Sequence, residues 1–287
     1  MFYSKPVTDI IQRRFSCRTY LDTPIAKDKR QQLADFLSLL KTGPLGAPAR
    51  FELVAATEQD RNSLKGLGTY GFIRGMTGFI VGAVGPADKN LEDYGYLMER
   101  AILFATDIEL GTCWLGGSFT KSSFAKKMAV TDGESVPAVT SVGYMTDKSR
   151  SGDLIRQRVG ADNRLPWESL FFHQRFGIPL SPEQAGAYAA PLEMARRGPS
   201  ASNKQPWRII QDGNAWHFYL QRTPAYGDGL AFKLLGLADL QRVDMGIAMS
   251  HLELTATELG LKGKWVVQEP WIEKPDRLTE YTVSWLS

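Results

Sequence analysis

Two distant stretches of the chain carry one pattern, and that repetition limits the fold more than any other feature. LLKTGPLGAPARFELV (39–54) resembles MARRGPSASNKQPWRII (194–210), with Gly43-Pro44 facing Gly198-Pro199. ELGTCW (109–114) matches ELGLKGKW (258–265) with a two-residue insertion, and VTSV (139–142) matches TVSW (282–285). Three matches in the same order mark two related halves, 1–165 and 166–287, in a chain of 287 residues. Related units associate most often around a closed two-fold. The expected arrangement is therefore an intramolecular pseudo-dimer with one continuous core.

Hydrophobic spacing fills in the elements. Helical periodicity predicts helices over 7–14, 26–41, 91–110, 121–129 and 239–259, the third of these stopping at Gly111 as a glycine C-cap and the last at Gly260. Alternating or continuous apolar runs predict strands at FELVAAT (51–57), GFIVGAV (78–84), AVTSVGY (138–144), RIIQD (208–212), WHFYLQR (216–222), KWVV (264–267) and YTVSWL (281–286). Residues 145–165 are polar, basic and punctuated by glycine, a surface crossing between the halves. The fold class is α+β, with mostly antiparallel sheets flanked by helices.

Composition excludes several functions. Against 34 Lys and Arg stand 31 Asp and Glu, a net charge of +3 that is too small and too scattered for a nucleic-acid partner. Cys17 and Cys113 form no CxxC pair, which argues against a disulfide framework or a zinc site. The first residues lack an apolar signal region and no run reaches membrane-spanning length, so a cytoplasmic setting is expected. GLGTYG (66–71) satisfies GxGxxG, but it follows a helix-like segment and precedes a strand, the reverse of a dinucleotide fingerprint. His173, His217 and His251 form no HxxxH motif, Gly116-Gly117-Ser118 is not GxSxG, and no GxxxxGK[ST] loop occurs.

Three segments carry the chemistry. In RRFSCRTY (13–20), extended backbone would put Arg14, Ser16 and Arg18 on one side, two guanidinium forks and a hydroxyl suited to an anion. GPSASNKQPW (198–207) gathers Ser200, Ser202 and Asn203 between two prolines, a loop able to grip a flat heterocycle by its edge. WLGG (114–117) sets Gly116 and Gly117 where backbone amides can approach a planar ligand.

RxSxR (Arg14, Ser16, Arg18), LGxxWxGG (Leu110 to Gly117), a late basic residue (Arg164) and PSxxNxQPW (Pro199 to Trp207) together resemble the FMN-dependent nitroreductase family. The likeness is strongest to its fused, single-chain members with two half-repeats, and it covers most of the chain. The resemblance implies FMN held between the halves. The first half would contribute Arg14, Ser16, Arg18, Gly116, Gly117 and Arg164, with Arg74 near the flavin pyrimidine. The second would contribute Pro199, Ser200, Ala201 and Asn203. The complementary loop has become PLGAPA (44–49) and no second RxSxR precedes residue 190 in the second half, so one flavin site per chain is expected and a monomer suffices.

Phe15 and Asp162 stand where relatives often carry basic residues, which weakens phosphate attraction; Lys148, Arg150, Arg156 and Arg158 are candidates to compensate. The resemblance implies an oxidoreductase passing electrons from NADH or NADPH to a nitroaromatic, a quinone or a similar electron-poor small molecule. No side-chain acid or nucleophile is needed, so no catalytic residue and no metal ligand is nominated. Residues 86–95 and 222–232 are candidates to select the acceptor. A non-catalytic FMN carrier or sensor is the alternative.

Overall fold

Strand β1 (Ala49–Ala55) buries only Phe51 and Val54, whereas β2 (Gly78–Val84) is buried throughout. That difference fixes their places: β1 on an edge, β2 inside. In the computed structural model β1 pairs antiparallel with β2, β2 with β4 (Val139–Gly143), and β4 with β3 (Gly111–Leu115), in the order β1-β2-β4-β3. The second sheet runs β5 (Phe171–His173), β6 (Trp207–Asp212), β7 (Ala215–Gln221), β9 (Thr279–Leu286), β8 (Lys264–Val266). Apart from β5, which joins β6 in parallel, all its pairs are antiparallel. Stripped of β5, the second sheet has the same strand order as the first. The structure describes residues 2–69, 71–117, 119–146, 157, 160, 162–226 and 237–287.

Between the sheets lie two long helices, α3 (Asn90–Asp107) and α7 (Leu240–Glu258). They are joined by α1 (Val7–Arg13), α2 (Lys27–Leu39), α4 (Lys121–Lys127), α5 (Pro182–Ala185) and α6 (Ala189–Arg196). Asp239 caps α7 by accepting the amides of Gln241 and Arg242 at 3.1 and 3.4 Å, the usual task of an N-cap aspartate. Where α3 and α7 cross, each presents a glycine to the other's backbone. A Cβ on Gly95 would stand 2.0 Å from the Val243 carbonyl oxygen, and one on Gly246 1.9 Å from that of Glu92. The contact is reciprocal: residue i of one helix meets j of the other, and the reverse. Around this crossing one apolar core takes in Ile80 and Val84, Met98 and Ile102, Met245 and Leu252, and Ile209 and Val283. A smaller cluster, including Phe79, Phe119 and Phe124, lies on the outer face of the first sheet.

The helices and strands expected from periodicity are present, most of them within a few residues of their expected ends. One terminus differs in kind. Helix α3 ends before Gly111: Glu109 takes the left-handed conformation (φ 67°), with Glu109 N–H bonded to Thr106 O at 3.0 Å and Leu110 N–H to Ala105 O at 2.8 Å. This is a Schellman end with glutamate where glycine is usual. Helix α7 ends the same way at Gly260 (φ 74°), with Leu261 N–H on Ala256 O. Glu109 and Gly260 thus hold equivalent places, and Trp114 and Trp265 follow each at the same interval. The two-residue insertion expected from the ELG strings is absent. The third match shifts too. Thr140 faces Ile80 and Trp114, while Trp285 faces Trp216 and Trp265, so VTSV is equivalent to residues 284–287, two positions beyond TVSW. Strand period is two, so a two-residue slip preserves the apolar pattern and deceives a string comparison. Strand β5, three residues long, is too short to give a periodic signal. Among the described residues no helix is long and apolar enough to cross a membrane.

Candidate functional site

The segment after α1 lacks a strand partner of its own length. It is held by a parallel bridge between Ser16 and Thr112 of β3, with Cys17 N–H on Thr112 O at 2.8 Å, and by Arg74 N–H on Arg18 O at 2.9 Å. Anchored at these points, Arg14, Ser16 and Arg18 all line one cavity of about 850 Å³. That volume suits a small-molecule or cofactor ligand. Gly116 and Gly117 continue from β3 into the same wall, and Arg164 joins them from the segment before β5.

Another wall comes from the loop that precedes β6: Pro199, Ser200, Ala201, Ser202 and Asn203. This loop has six residues between its prolines, where the Pro44–Pro48 loop has three. Its extra length is accommodated by left-handed backbone at Ser202, Asn203 and Gln205 (φ 50°, 55° and 49°). Such conformations cost a non-glycine residue roughly 1–3 kcal/mol each. The polar side chains repay part of that cost, but as structural ties. Ser200 Oγ accepts the Gln205 amide at 2.8 Å, Asn203 Nδ2 donates to Gly160 O at 2.8 Å and Asn163 O at 3.1 Å, and the Gln205 side chain accepts Leu165 N–H at 2.9 Å. Asn203 therefore binds the loop to the segment that carries Arg164. Arg164 in turn donates to Arg197 O at 2.8 Å, a second tie between this segment and the end of α6.

Helix α7 forms the cavity's remaining side with Leu240, Val243, Asp244 and Ile247, a helical face at spacings of three and four. Asp244 accepts Ala201 N–H at 3.0 and 3.1 Å through its two oxygens. Burial pushes its carboxyl well above the usual carboxylate range, a shift that the Ala201 hydrogen bond opposes. Asp93 does the equivalent work for the short loop, accepting Leu45 N–H at 2.9 Å and Ala47 N–H at 2.8 Å, and burial raises it to about 6.

Ten of the eleven residues expected at the site face this cavity. Arg74 is the exception: its side chain is exposed and outside the cavity lining, and its backbone serves to hold Arg18. Phe72, from the same turn, lines the cavity instead. Asp162 lies in the wall as well. Lys148, Arg150, Arg156 and Arg158 lie outside the described residues, as do 227–232. Residues 86–95 and 222–226 are not in the cavity wall. The α7 face was missed, although the sequence holds its signal: Asp93-Tyr94-Gly95 and Asp244-Met245-Gly246 are the same Asp-x-Gly at the same point of two equivalent helices. Arg196 and Arg197 also reach the cavity, but Glu193 occupies both, with contacts of 2.6 and 3.0 Å.

An α+β scaffold with two sheets, a pair of long helices between them and a cation-lined cavity is the class that fold and site define. A family profile described as "Putative TM nitroreductase" matches residues 6–256, and the chain belongs to that family. A crystal structure titled as a "putative nitroreductase" from Thermotoga maritima MSB8 is similar over 98% of this chain and 94% of its own, with a TM-score of 0.60 and 20% identity. A nitroreductase family protein from Clostridium difficile 630 is similar over 56% of this chain and 94% of its own (TM-score 0.42, 17% identity). A Desulfovibrio desulfuricans structure whose title describes a complex with FMN is similar over 57% of this chain and 99% of its own (TM-score 0.40, 19% identity). No curated protein matches the chain.

Proposed function

We propose that the chain binds one FMN in this cavity and transfers electrons from NADH or NADPH to a nitroaromatic, a quinone or a similar electron-poor acceptor. The observation that carries the reading is convergence. Arg14, Ser16, Arg18, Gly116, Gly117 and Arg164 come from residues 1–165, Pro199–Asn203 from the other half, and all meet at one cavity.

The residues fit the group. Arginine forks and a serine hydroxyl suit a phosphate. A Cβ on Gly117 would meet nothing nearer than Leu237 Cδ1 at 4.0 Å, so its backbone stands open to a flat ligand. When bound, FMN supplies hydride and electron-transfer chemistry. Arg14, Ser16 and Arg164 would hold its phosphate. Arg18 would stabilise negative charge, an electrostatic contribution of roughly a few kcal/mol in a site closed to water. The Pro199–Asn203 loop would fix the ring from the second half, with Phe72 and Leu240 screening it from solvent. Arg74 is not part of this set.

The site belongs to a fused pair acting as a monomer, with halves 1–165 and 166–287. Identical strand order, the reciprocal Gly95 and Gly246 contacts, and the matching Asp93 and Asp244 anchors support this. One site per chain follows from the differences. The position equivalent to Val243 is Glu92, which pairs with Arg242 at 2.9 and 2.6 Å where the other half has an apolar wall. The short loop brings Gly43 so close to Asp93 that a Cβ there would lie 2.1 Å from its carboxyl carbon.

The test is spectroscopic. Purified protein, loaded with FMN if necessary, is expected to show flavin absorbance that bleaches anaerobically with NADH or NADPH. Flavin absorbance that neither donor bleaches would make the chain a carrier or sensor. Protein that takes up no FMN would end the proposal.

A further inference from the structure

Behind the cavity lies a group of buried polar residues that FMN binding as described does not use. Glu99 on α3 and His251 on α7 are fully buried, with Oε1 and Nε2 2.9 Å apart. The other imidazole nitrogen, Nδ1, lies 2.8 Å from the Met194 carbonyl oxygen. A carbonyl can only accept, so Nδ1 carries a hydrogen, and a further proton lies between Nε2 and Oε1. The second carboxyl oxygen of Glu99 accepts Trp114 Nε1–H at 2.7 Å, and Arg14 Nε stands 3.7 Å from Oε1. Arg14 and Trp114 both line the cavity. One carboxylate from the first half thus touches two wall residues and is itself clamped by a helix of the second.

The register set by Gly95 and Gly246 separates this group from general scaffolding. Asp93 and Asp244 occupy equivalent places and both anchor a loop. The places equivalent to Glu99 and His251 hold Ser250 and Arg100, so the pair is peculiar to the side that carries the cavity.

We propose that Glu99, clamped by His251, is a positioning residue that sets Arg14 and Trp114 against the cavity and ties anion affinity there to the contact between α3 and α7. The ligand in this proposal rests on the FMN reading. A carboxylate beside Arg14 has two opposite effects. It offsets the charge that attracts a phosphate, and it fixes the guanidinium where it is useful. Positioning and simple charge balance therefore predict opposite results when the charge is removed.

The experiment measures FMN dissociation constants by fluorescence titration for wild type, Glu99→Gln, Arg14→Ala and the double variant. Glutamine keeps the size and can still accept from Trp114 and donate to His251. Positioning predicts that E99Q alone weakens binding about tenfold, the equivalent of about 1.4 kcal/mol. In the Arg14→Ala background it should change binding by less than about twofold, because groups acting through one another are not additive. Tighter binding in E99Q, or the same loss in both backgrounds, overturns the proposal. Nitrogen-15 NMR of the flavin-free protein tests the clamp alone. Wild type should show the slowly exchanging Nδ1–H of His251 and a second, strongly hydrogen-bonded proton shared between Nε2 and Glu99, which E99Q lacks; a wild type without that second proton refutes the clamp. Should E99Q fail to fold, His251→Gln replaces it, with the same weakening of FMN binding expected and unchanged affinity counting against the proposal. If wild type binds no FMN, the functional reading fails while the NMR result still decides the clamp.

Discussion

Gly246→Ala places the smallest possible side chain at the crossing of α3 and α7. The new methyl carbon would sit 1.9 Å from Glu92 O and 2.6 Å from Tyr96 N, both backbone atoms that cannot rotate away. Ordinary C···O contacts begin near 3.3 Å, so the helices must part locally by about 1 Å or more. Overpacking of this kind costs about 1–3 kcal/mol, and the rigid backbone on both sides puts this site at or above the upper end. Alanine's helix propensity returns about 1 kcal/mol. A net loss of about 2 kcal/mol is expected. At about 2.1 cal/mol/K per residue the unfolding entropy of the whole chain is roughly 0.6 kcal/mol/K, so the melting temperature should fall by about 3 °C. Val243 and Ile247 flank the substitution and line the cavity, so FMN affinity should fall as well. Differential scanning calorimetry and flavin titration read the two effects. Gly95→Ala meets Val243 O at 2.0 Å and should behave alike, and the double variant should lose less than the sum, since one separation relieves both clashes. A Gly246→Ala protein that melts at or above the wild-type temperature would refute the close crossing.

Gly117→Ala should do the reverse: with no atom nearer than 4.0 Å to the new carbon, stability should change by less than about 0.5 kcal/mol while the methyl group narrows the slot and lowers FMN affinity, as paired melting and titration experiments would show. Asp93→Asn replaces one of two accepting oxygens by a donor facing Leu45 or Ala47 N–H and should cost about 1–3 kcal/mol in urea unfolding at neutral pH. Burial raises the Asp93 carboxyl from 3.8 to about 6, so between those values the native state keeps a proton that the unfolded chain gives up. That contribution is present at pH 4 and is lost as pH rises towards and past 6; Asp93→Asn should lack this slope in denaturation curves taken across the window.

Much of the site could be read from the chain because its parts are local. RxSxR, the glycine pair and PSASN each sit within a few residues, and all three segments line the cavity. What escaped needed distance information. Asp244 and the apolar face of α7 look like any buried helix until Ala201 is seen to lie against them. Ser200 and Asn203 suggest ligand groups in sequence, whereas their side chains hold the loop in its left-handed turns and bind it to Gly160 and Asn163. Arg74 was drawn towards the site by its neighbours, but the bridge between Thr19 and Arg74 uses its backbone and leaves its side chain exposed. The end of α3 was not legible, because glutamate at position 109 takes the left-handed place where glycine usually marks a helix end.

The three additional residues between Pro199 and Pro206 have no counterpart between Pro44 and Pro48. Two identical subunits could not differ in this way, since any insertion in their common gene would appear on both sides of the axis. One continuous polypeptide escapes that bond. In the fused pair proposed above, such a chain would be able to lengthen one loop for chemistry and keep the other short for strength, so that a mutation improving one role leaves the other untouched.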